Sequence, residues 1–437
     1  MPSQQAVRDP AGELTPVEYR LRLVETPDDA GEINLDYAAT TPALQAAVDA
    51  VNAFLPHYGS VHRGGGRRSR ASTAAYEAAR ESVERFVGCP PDSSVVFVRN
   101  TTEAANVLSS AVPADSQVLL SPVEHHANLL PWRTHRVSYL PFTRSADELL
   151  DAVESALSAA SRAGDPYRLL AVTGASNVTG EVTPIDDLAQ IAHAHDTLIF
   201  VDAAQLAPHR PIDLHSLDVD FLAFSGHKLY APFGTGALVI RNEADRHGLP
   251  LVKGGGAVRL VTLGEVAWAD TPHRYEAGTP NVVGAVALGA ACDTLAAVGM
   301  DVVAAHEDEL ARHLWAGLSE IHGISLLQLW PGHSDRVGVA AFTVDGHAPH
   351  ELSATLARDW GIAVRSGAFC AHPLVAHLLG VDEGVPRRLI DALAAGEEID
   401  IPGAVRASVG VGTTVEDIDA LLRALTTTIN APSRGAS

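Results

Sequence analysis

The chain has 437 residues, 46% of them hydrophobic, the composition of a globular protein with a large core and room for more than one domain. Its formal charge of −22 excludes a general nucleic-acid surface, which would need a basic face. No run approaches the about 20 apolar residues that cross a bilayer, and Met1 to Ala30 lacks the basic start and apolar run of a signal peptide, so a soluble cytoplasmic protein with no membrane role is expected.

From about Leu35 to Arg241, short β-rich runs alternate with helical stretches. The runs include Val95–Val98, Val118–Ser121, Leu169–Val172, Leu198–Asp202, Phe221–Phe224 and Ala237–Ile240. Several are continuously apolar, as strands buried on both faces of a parallel sheet are. Helices are expected between them at Ser72–Phe86, Ala146–Ala163 and Ile185–His195, which gives an α/β layered domain. From Asn281 to Ile321 the pattern becomes helical and Ala-rich, as one long joining helix would be. A smaller α+β region follows, with strands at Ser325–Leu329, Gly338–Val344, Ile362–Val364 and Ala404–Val409 and helices at His350–Trp360 and Val415–Thr428. The Pro- and Gly-rich ends read as flexible tails.

The three cysteines, Cys89, Cys292 and Cys370, are too few and too scattered for a disulfide framework or a zinc cluster, and no metal site is expected. Lysine occurs only at Lys228 and Lys253, so any lysine chemistry has two candidates. Four arginines crowd a Gly-rich stretch, Arg63-Gly-Gly-Gly-Arg-Arg-Ser-Arg70, readable either as a solvated loop or as an anion-attracting mouth.

Lys228 stands in Ser225-Gly-His-Lys228, directly after the apolar run Phe221–Phe224. A buried ammonium must be paired or neutralised, and imine formation removes that cost; lysine imines are a standard way to hold pyridoxal phosphate. By itself an exposed loop lysine is the simpler reading, and the partners decide against it. Asp202 ends the strand Leu198–Asp202, where a carboxylate can keep a pyridine nitrogen protonated; a plain helix cap is compatible with that role. Gln205 follows within reach of a ring hydroxyl. Val95–Val98 runs into Asn100-Thr-Thr-Glu103, a helix start whose free N–H groups and the Thr102 hydroxyl suit a phosphate. His125 and His126 precede a further helical stretch. Adjacent histidines do not share a helix face, which leaves a metal reading poor and a ring-stacking imidazole better.

These segments resemble the class V aminotransferase family, and more narrowly its group II cysteine desulfurases and selenocysteine lyases. The match runs in order through most of the chain, and also includes Asp36-Tyr-Ala-Ala-Thr-Thr-Pro42, Val61-His-Arg-Gly64, Glu124-His-His-Ala-Asn128, Ser176-Asn-Val-Thr-Gly180, Glu276-Ala-Gly-Thr-Pro-Asn281, Val364-Arg-Ser-Gly-Ala-Phe-Cys370 and Arg406-Ala-Ser408. The resemblance implies a fold-type I pyridoxal-phosphate homodimer. Its parts would be an N-terminal segment (1–35) packed on the small domain, a large, mainly parallel-sheet cofactor domain (36–284) and a small α+β domain (285–437) carrying the cysteine loop.

It also implies roles. Lys228 forms the imine and moves the substrate α-proton, Asp202 pairs with the pyridine nitrogen, and His125 stacks on the ring. Asn177 and Gln205 lie near the ring hydroxyl. Thr101, Thr102, Ser225 and His227 surround the phosphate, and Thr279 reaches the phosphate of the neighbouring subunit. Arg406 clamps the substrate carboxylate, with Asn177, His62 and Arg63 also on the substrate side, and Cys370 takes the sulfur. The implied reaction is conversion of L-cysteine to L-alanine with a persulfide on Cys370, destined for a sulfur-acceptor protein. The alternatives are a selenocysteine lyase, a C–S lyase or an amino-acid epimerase.

Cys370 has chemistry of its own: it lies in a loop-like segment, with Arg365 and His372 placed to favour a thiolate. A buried, inert thiol suits Cys89 and Cys292 better. Three features depart from the family pattern. Gly65-Gly-Arg-Arg-Ser69 replaces a His and an apolar residue, Ala368-Phe369 stands where many members carry His, and Gly380–Gly403 lengthens the stretch between the cysteine and the arginine. Within that stretch, Pro386 to Leu393 reads as a helix, either a lid or a partner-docking element.

Overall fold

The continuously apolar runs become the middle of one large sheet. In the computed structural model, which describes residues 21–24, 31–245, 248–382 and 384–430, a two-residue strand β1 (Ile33–Asn34) comes first. Seven strands then form the sheet: β2 (Ser93–Val98), β3 (Gln117–Leu120), β4 (Arg136–Tyr139), β5 (Tyr167–Thr173), β6 (Leu198–Asp202), β7 (Phe221–Ser225) and β8 (Gly236–Arg241). Their spatial order is β2-β8-β7-β6-β5-β3-β4. Only β8 runs antiparallel to its neighbours, so β2 points the same way as β5, β6 and β7. The expected flexible tails, and most of the 1–35 segment, lie outside the described residues.

Side chains alternate across a strand, yet both faces here are dry. Leu170 and Val172 of β5 enter one apolar cluster with Val201, Leu222 and Leu288, while Leu169 and Ala171 enter another with Phe200, Ala223 and Trp132. Burying each such Leu or Phe contributes about 1.5–3 kcal/mol, so the centre of this sheet is the least deformable part of the molecule.

Beyond β8, an antiparallel hairpin, β9 (Val258–Val261) and β10 (Val266–Trp268), leaves Leu260, Val261 and Leu263 exposed. The expected single long helix is in fact two, Val282–Val298 and Met300–Glu320, bent by 79°. Gly299 breaks it at φ 97°, a conformation that side-chain-bearing residues rarely adopt. The expected helix start at Ser72 is also late by more than a turn: the helix runs Arg67–Phe86, so Arg67, Arg68 and Arg70 lie on its first turn, not in a loop.

A second sheet completes the fold. Its strands β11 (Ile324–Leu326), β12 (Val339–Val344), β14 (Arg365–Gly367) and β15 (Ala404–Ser408) are antiparallel, in the order β11-β12-β15-β14. The short β13 (Ile362–Ala363) instead pairs in parallel with β1. Phe342, Leu352, Leu356, Val405 and Leu421 bury one face of this sheet under helices Pro349–Trp360 and Val415–Asn430, and Leu35 joins the same cluster. Before it reaches the large sheet, the chain entering at β1 is thus stitched to the C-terminal unit, where Asp36 also bridges to Ser408 of β15.

A buried ion pair fixes the loop that follows the hairpin. Arg80 grips Glu276 with both guanidinium nitrogens at 2.8 and 2.9 Å, and the Phe97 N–H donates to the same carboxylate at 2.8 Å. The two side chains are 7% and 5% exposed. Glu276→Ala leaves the buried guanidinium with only the more exposed Glu77, 3.0 Å from Nε, as counter-charge, and is expected to lower the unfolding free energy by about 2–4 kcal/mol. Urea titration of the variant measures this; a change under about 1 kcal/mol would contradict the assignment.

Candidate active site

Parallel strands end on the same side, and that is where the chemistry collects. Asp202 is the last residue of β6, Ser225 the last of β7 and Thr173 the last of β5, all bordering one cavity of about 350 Å³. Lys228 follows β7 on a single tight turn, Gly226–Lys228. Only glycine fits at its start, because a Cβ on Gly226 would lie 2.4 Å from the Thr235 carbonyl oxygen. The lysine amine is thereby fixed at the cavity floor.

Burial pushes that amine down to about 8, with Asp202 partly opposing the shift. Asp202 is itself raised by burial, against the Ala204 N–H that donates to Oδ1 at 2.9 Å and the Lys228 charge. His125 caps the helix His126–Leu129 by accepting the Ala127 N–H on Nδ1 at 3.0 Å. Burial, and then Lys228, hold its ring at about 3, so it is neutral with its proton on Nε2. The neutral imidazole lines the cavity.

One wall is a helix N-terminus. Asn100 caps the helix Thr101–Ala111 through the Glu103 N–H at 3.0 Å. The Thr101 N–H donates to Ser225 Oγ at 2.9 Å, and the two hydroxyls meet at 2.8 Å. Thr102 is exposed at the rim, and His227 Nδ1 lies 3.2 Å from the Thr40 hydroxyl. Hydroxyls gathered at the positive end of a helix suit an anion.

The opposite wall comes from the smaller sheet. Arg406 on β15 is 2% exposed and faces the cavity. Its Nη1 donates to the Asn177 carbonyl at 2.9 Å, its Nη2 pairs with Asp36 at 3.2 Å, and its Nε is buried without a partner among the described residues. Burial lowers it to about 10, with Asp36 opposing, so it is charged at neutral pH. Arg365, directly across the strand pair, holds the same Asp36 carboxylate at 2.9 Å. Cys370 is exposed at the cavity edge, on a loop where Phe369 and Cys370 take φ of 52° and 54°. That left-handed pair is held by the Asn177 Nδ2, donating to the Phe369 carbonyl at 2.7 Å, and the His126 N–H, donating to the Cys370 carbonyl at 2.8 Å.

Eleven of the residues expected from the sequence thus border one space: Thr101, Thr102, His125, Asn177, Asp202, Gln205, Ser225, His227, Lys228, Cys370 and Arg406. His62, Arg63 and Thr279 do not. They line a separate hollow of about 690 Å³ beside the β9–β10 hairpin. The Thr40, Asp36 and Phe369 side chains at the site were given no part by the sequence reading, although all three lie inside or beside quoted motifs.

The class-V aminotransferase family model matches residues 33–421. The chain belongs to this family. A protein named "Probable cysteine desulfurase" from Halalkalibacterium halodurans is 33% identical over 405 residues, covering 90% of this chain and 92% of its own. Among solved structures, a cysteine desulfurase from Escherichia coli in S-sulfonic acid form superposes with a TM-score of 0.79 at 30% identity, over 95% of this chain and 98% of that one. An apo cysteine desulfurase from Thermococcus onnurineus gives 0.80 at 28% identity, over 98% and 99%. The fold is that of fold-type I pyridoxal-phosphate enzymes, as the resemblance implied.

The residues present fit that cofactor. A buried amine of lowered basicity, a buried carboxylate at a strand end, a neutral imidazole and a helix N-terminus meet in one cavity, where the Gln205 carbonyl oxygen is buried without a partner among the described residues. Gln205 Nε2 is already committed to the Ala38 carbonyl at 2.7 Å, which leaves that oxygen to meet a hydroxyl.

Thiol reactivity separates the cysteines. Burial pushes the Cys89 thiol up to about 12 and raises Cys292 further, while Cys370 is exposed. Iodoacetamide at neutral pH is expected to alkylate Cys370 alone in the folded protein. Peptide mass spectrometry checks this, and substantial label on Cys292 before Cys370 would contradict the geometry.

Proposed function

We propose that this family member is a pyridoxal-phosphate-dependent cysteine desulfurase, converting L-cysteine to L-alanine and taking the sulfur onto Cys370 as a persulfide. One observation carries the reading: a lysine with a desolvated amine, a buried arginine and an exposed cysteine border the same cavity. Bound at Lys228, pyridoxal phosphate supplies an electron sink for the bond broken at the substrate α-carbon. Asp202 is the carboxylate that keeps such a sink protonated, and Thr102, Ser225, His227 and the helix N-terminus are the phosphate's partners.

The chain's own residues do the rest. Arg406 receives the substrate α-carboxylate, a planar fork meeting a planar anion. The Lys228 amine, only weakly basic in its buried setting, takes the α-proton. The Cys370 thiolate attacks the substrate sulfur: the new S–S bond forms as the substrate Cβ–S bond breaks, the electron pair stays with the carbon, and protonation there yields alanine. Cys370 then stands at the surface, open to a sulfur-acceptor protein. A reacting thiol at the cavity favours this over epimerisation, which needs none.

The working unit we infer is a two-fold homodimer. His62, Arg63 and Thr279 lie together but away from Lys228, and the neighbouring hairpin presents Leu260, Val261 and Leu263 to solvent. An apolar hairpin beside polar side chains that lie away from Lys228 is what a second copy would cover. Thr279→Ala is then expected to weaken cofactor retention without unfolding the chain. Sedimentation and dialysis of the yellow protein test this; a fully active monomer would refute it.

Borohydride reduction of the protein loaded with pyridoxal phosphate is expected to leave a phosphopyridoxyl group on Lys228 and none on Lys253. Cys370→Ser should keep that cofactor and its colour but lose alanine production from cysteine by roughly 100-fold or more, since a hydroxyl stays protonated and is a poor sulfur acceptor. Full alanine production by Cys370→Ser would instead identify a C–S lyase.

A further inference from the structure

The Ala368-Phe369 pair before the cysteine is a departure from the family pattern that the reaction itself does not explain. The structure gives Phe369 two contacts at once. Its ring lies under the Arg406 guanidinium, 5.0 Å from ring centroid to Cζ. Its carbonyl oxygen accepts the Asn177 side-chain N–H at 2.7 Å. Asn177 in turn gives its own carbonyl to Arg406 Nη1 at 2.9 Å, which closes a small circuit of arginine, asparagine and phenylalanine. The ring is 7% exposed, so water does not weaken the contact between cation and π face.

The next residue is Cys370. Both φ angles are left-handed, a conformation that costs energy for any residue with a side chain and persists only where the surroundings hold it. The holders are Asn177 on one side and the His126 N–H on the other. The carboxylate grip and the sulfur acceptor are therefore parts of one rigid corner.

We propose that Phe369 is a positioning residue: its ring seats the Arg406 guanidinium for the substrate carboxylate, and the same residue sets where Cys370 stands over the substrate sulfur. Arg406 has polar partners on only part of its fork: Asp36 and the Asn177 carbonyl take the two terminal nitrogens, and Nε has none among the described residues. Without a flat surface beneath it, the guanidinium can rotate about its long stem, and the fork is no longer aimed at the bound carboxylate. A benzyl ring supplies that surface without adding a charge or a hydrogen-bonding group to a site already holding Arg365, Arg406, Lys228 and Asp36.

The inference rests on Arg406 being the carboxylate site, and the test separates the two. L-alanine and ethylamine, which is alanine without its carboxylate, are titrated into the yellow holoenzyme and read by the change in cofactor absorbance. Phe369→Leu keeps an apolar side chain but removes the ring; it is expected to weaken L-alanine about 3- to 30-fold and leave ethylamine unchanged. Phe369→Tyr, which keeps a ring, should recover most of that loss. With cysteine as substrate, Phe369→Leu should raise KM and also lower kcat, because the ring seats the loop as well as the arginine. If Phe369→Leu does not fold, Phe369→Met replaces it in the same titrations.

Unchanged L-alanine affinity in the ring-free variant would overturn the proposal, as would equal weakening of both probes, which would indicate general collapse of the site. A raised KM with no fall in kcat would overturn the coupling to Cys370. If Arg406→Lys in the wild-type background leaves L-alanine affinity intact, the failure belongs to the carboxylate assignment and not to Phe369.

Discussion

Arg365 and Arg406 lie directly opposite each other on β14 and β15, and two like charges facing across a strand pair repel. Asp36 resolves this. It reaches in from the segment after β1, pairs with Arg365 at 2.9 Å and Arg406 at 3.2 Å, and so allows a guanidinium that is 98% out of solvent to remain charged. Removing this carboxylate would leave two cations facing each other across a strand pair, one of them buried. The corner that holds the cysteine loop stands on this neutralisation, because Arg406 is also what Asn177 and Phe369 pack against.

The large sheet contributes the other half of the site by direction alone. Strands β5, β6 and β7 are parallel and buried on both faces, so their C-terminal residues are held at fixed spacing by a core that cannot easily shift. Thr173, Asp202 and Ser225 inherit that spacing. Electrostatics then distinguishes groups that are chemically ordinary. Burial brings Lys228 down to about 8 and His125 to about 3, so a neutral ring and a weakly basic amine coexist beside a carboxylate. The same burial would strengthen the proposed hold of Arg406 on a carboxylate, since a desolvated guanidinium gains more from such a partner than one in water does.

What the sequence revealed divides along the same line. Asp202 and Ser225 were legible because each closes an apolar run, and Lys228 because it follows one by a single turn; the end of a buried strand is a local pattern. The central strands were legible for the same reason. The edge strand β4, Arg136–Tyr139, was not, being short and largely exposed, and neither was the β9–β10 hairpin, whose apolar residues point outward. The joining helix was read as continuous because the chain on both sides of Gly299 favours helix; the backbone angle at that glycine makes the break. Asp36 was visible as part of a motif but without a task, since its partners lie far along the chain. Phe369 was visible only as an oddity. Its meaning is a ring under a guanidinium, and no spacing rule encodes that contact. His62, Arg63 and Thr279 were read as site residues by resemblance, and one copy of the chain does not bring them to Lys228.

The Asp36–Arg406 contact spans 370 positions of sequence. Loop closure over such a length is paid for late, after local helices and neighbouring strands have formed. Asp36 precedes Lys228 in the chain, and its partner strand β15 follows both Lys228 and Cys370. A nascent chain that has already folded Lys228 into the floor of the large sheet would still lack the arginine, the cysteine loop and the wall they form. Folding in chain order would thus set Lys228 first, Cys370 next, and only then the arginine that steadies the cysteine loop.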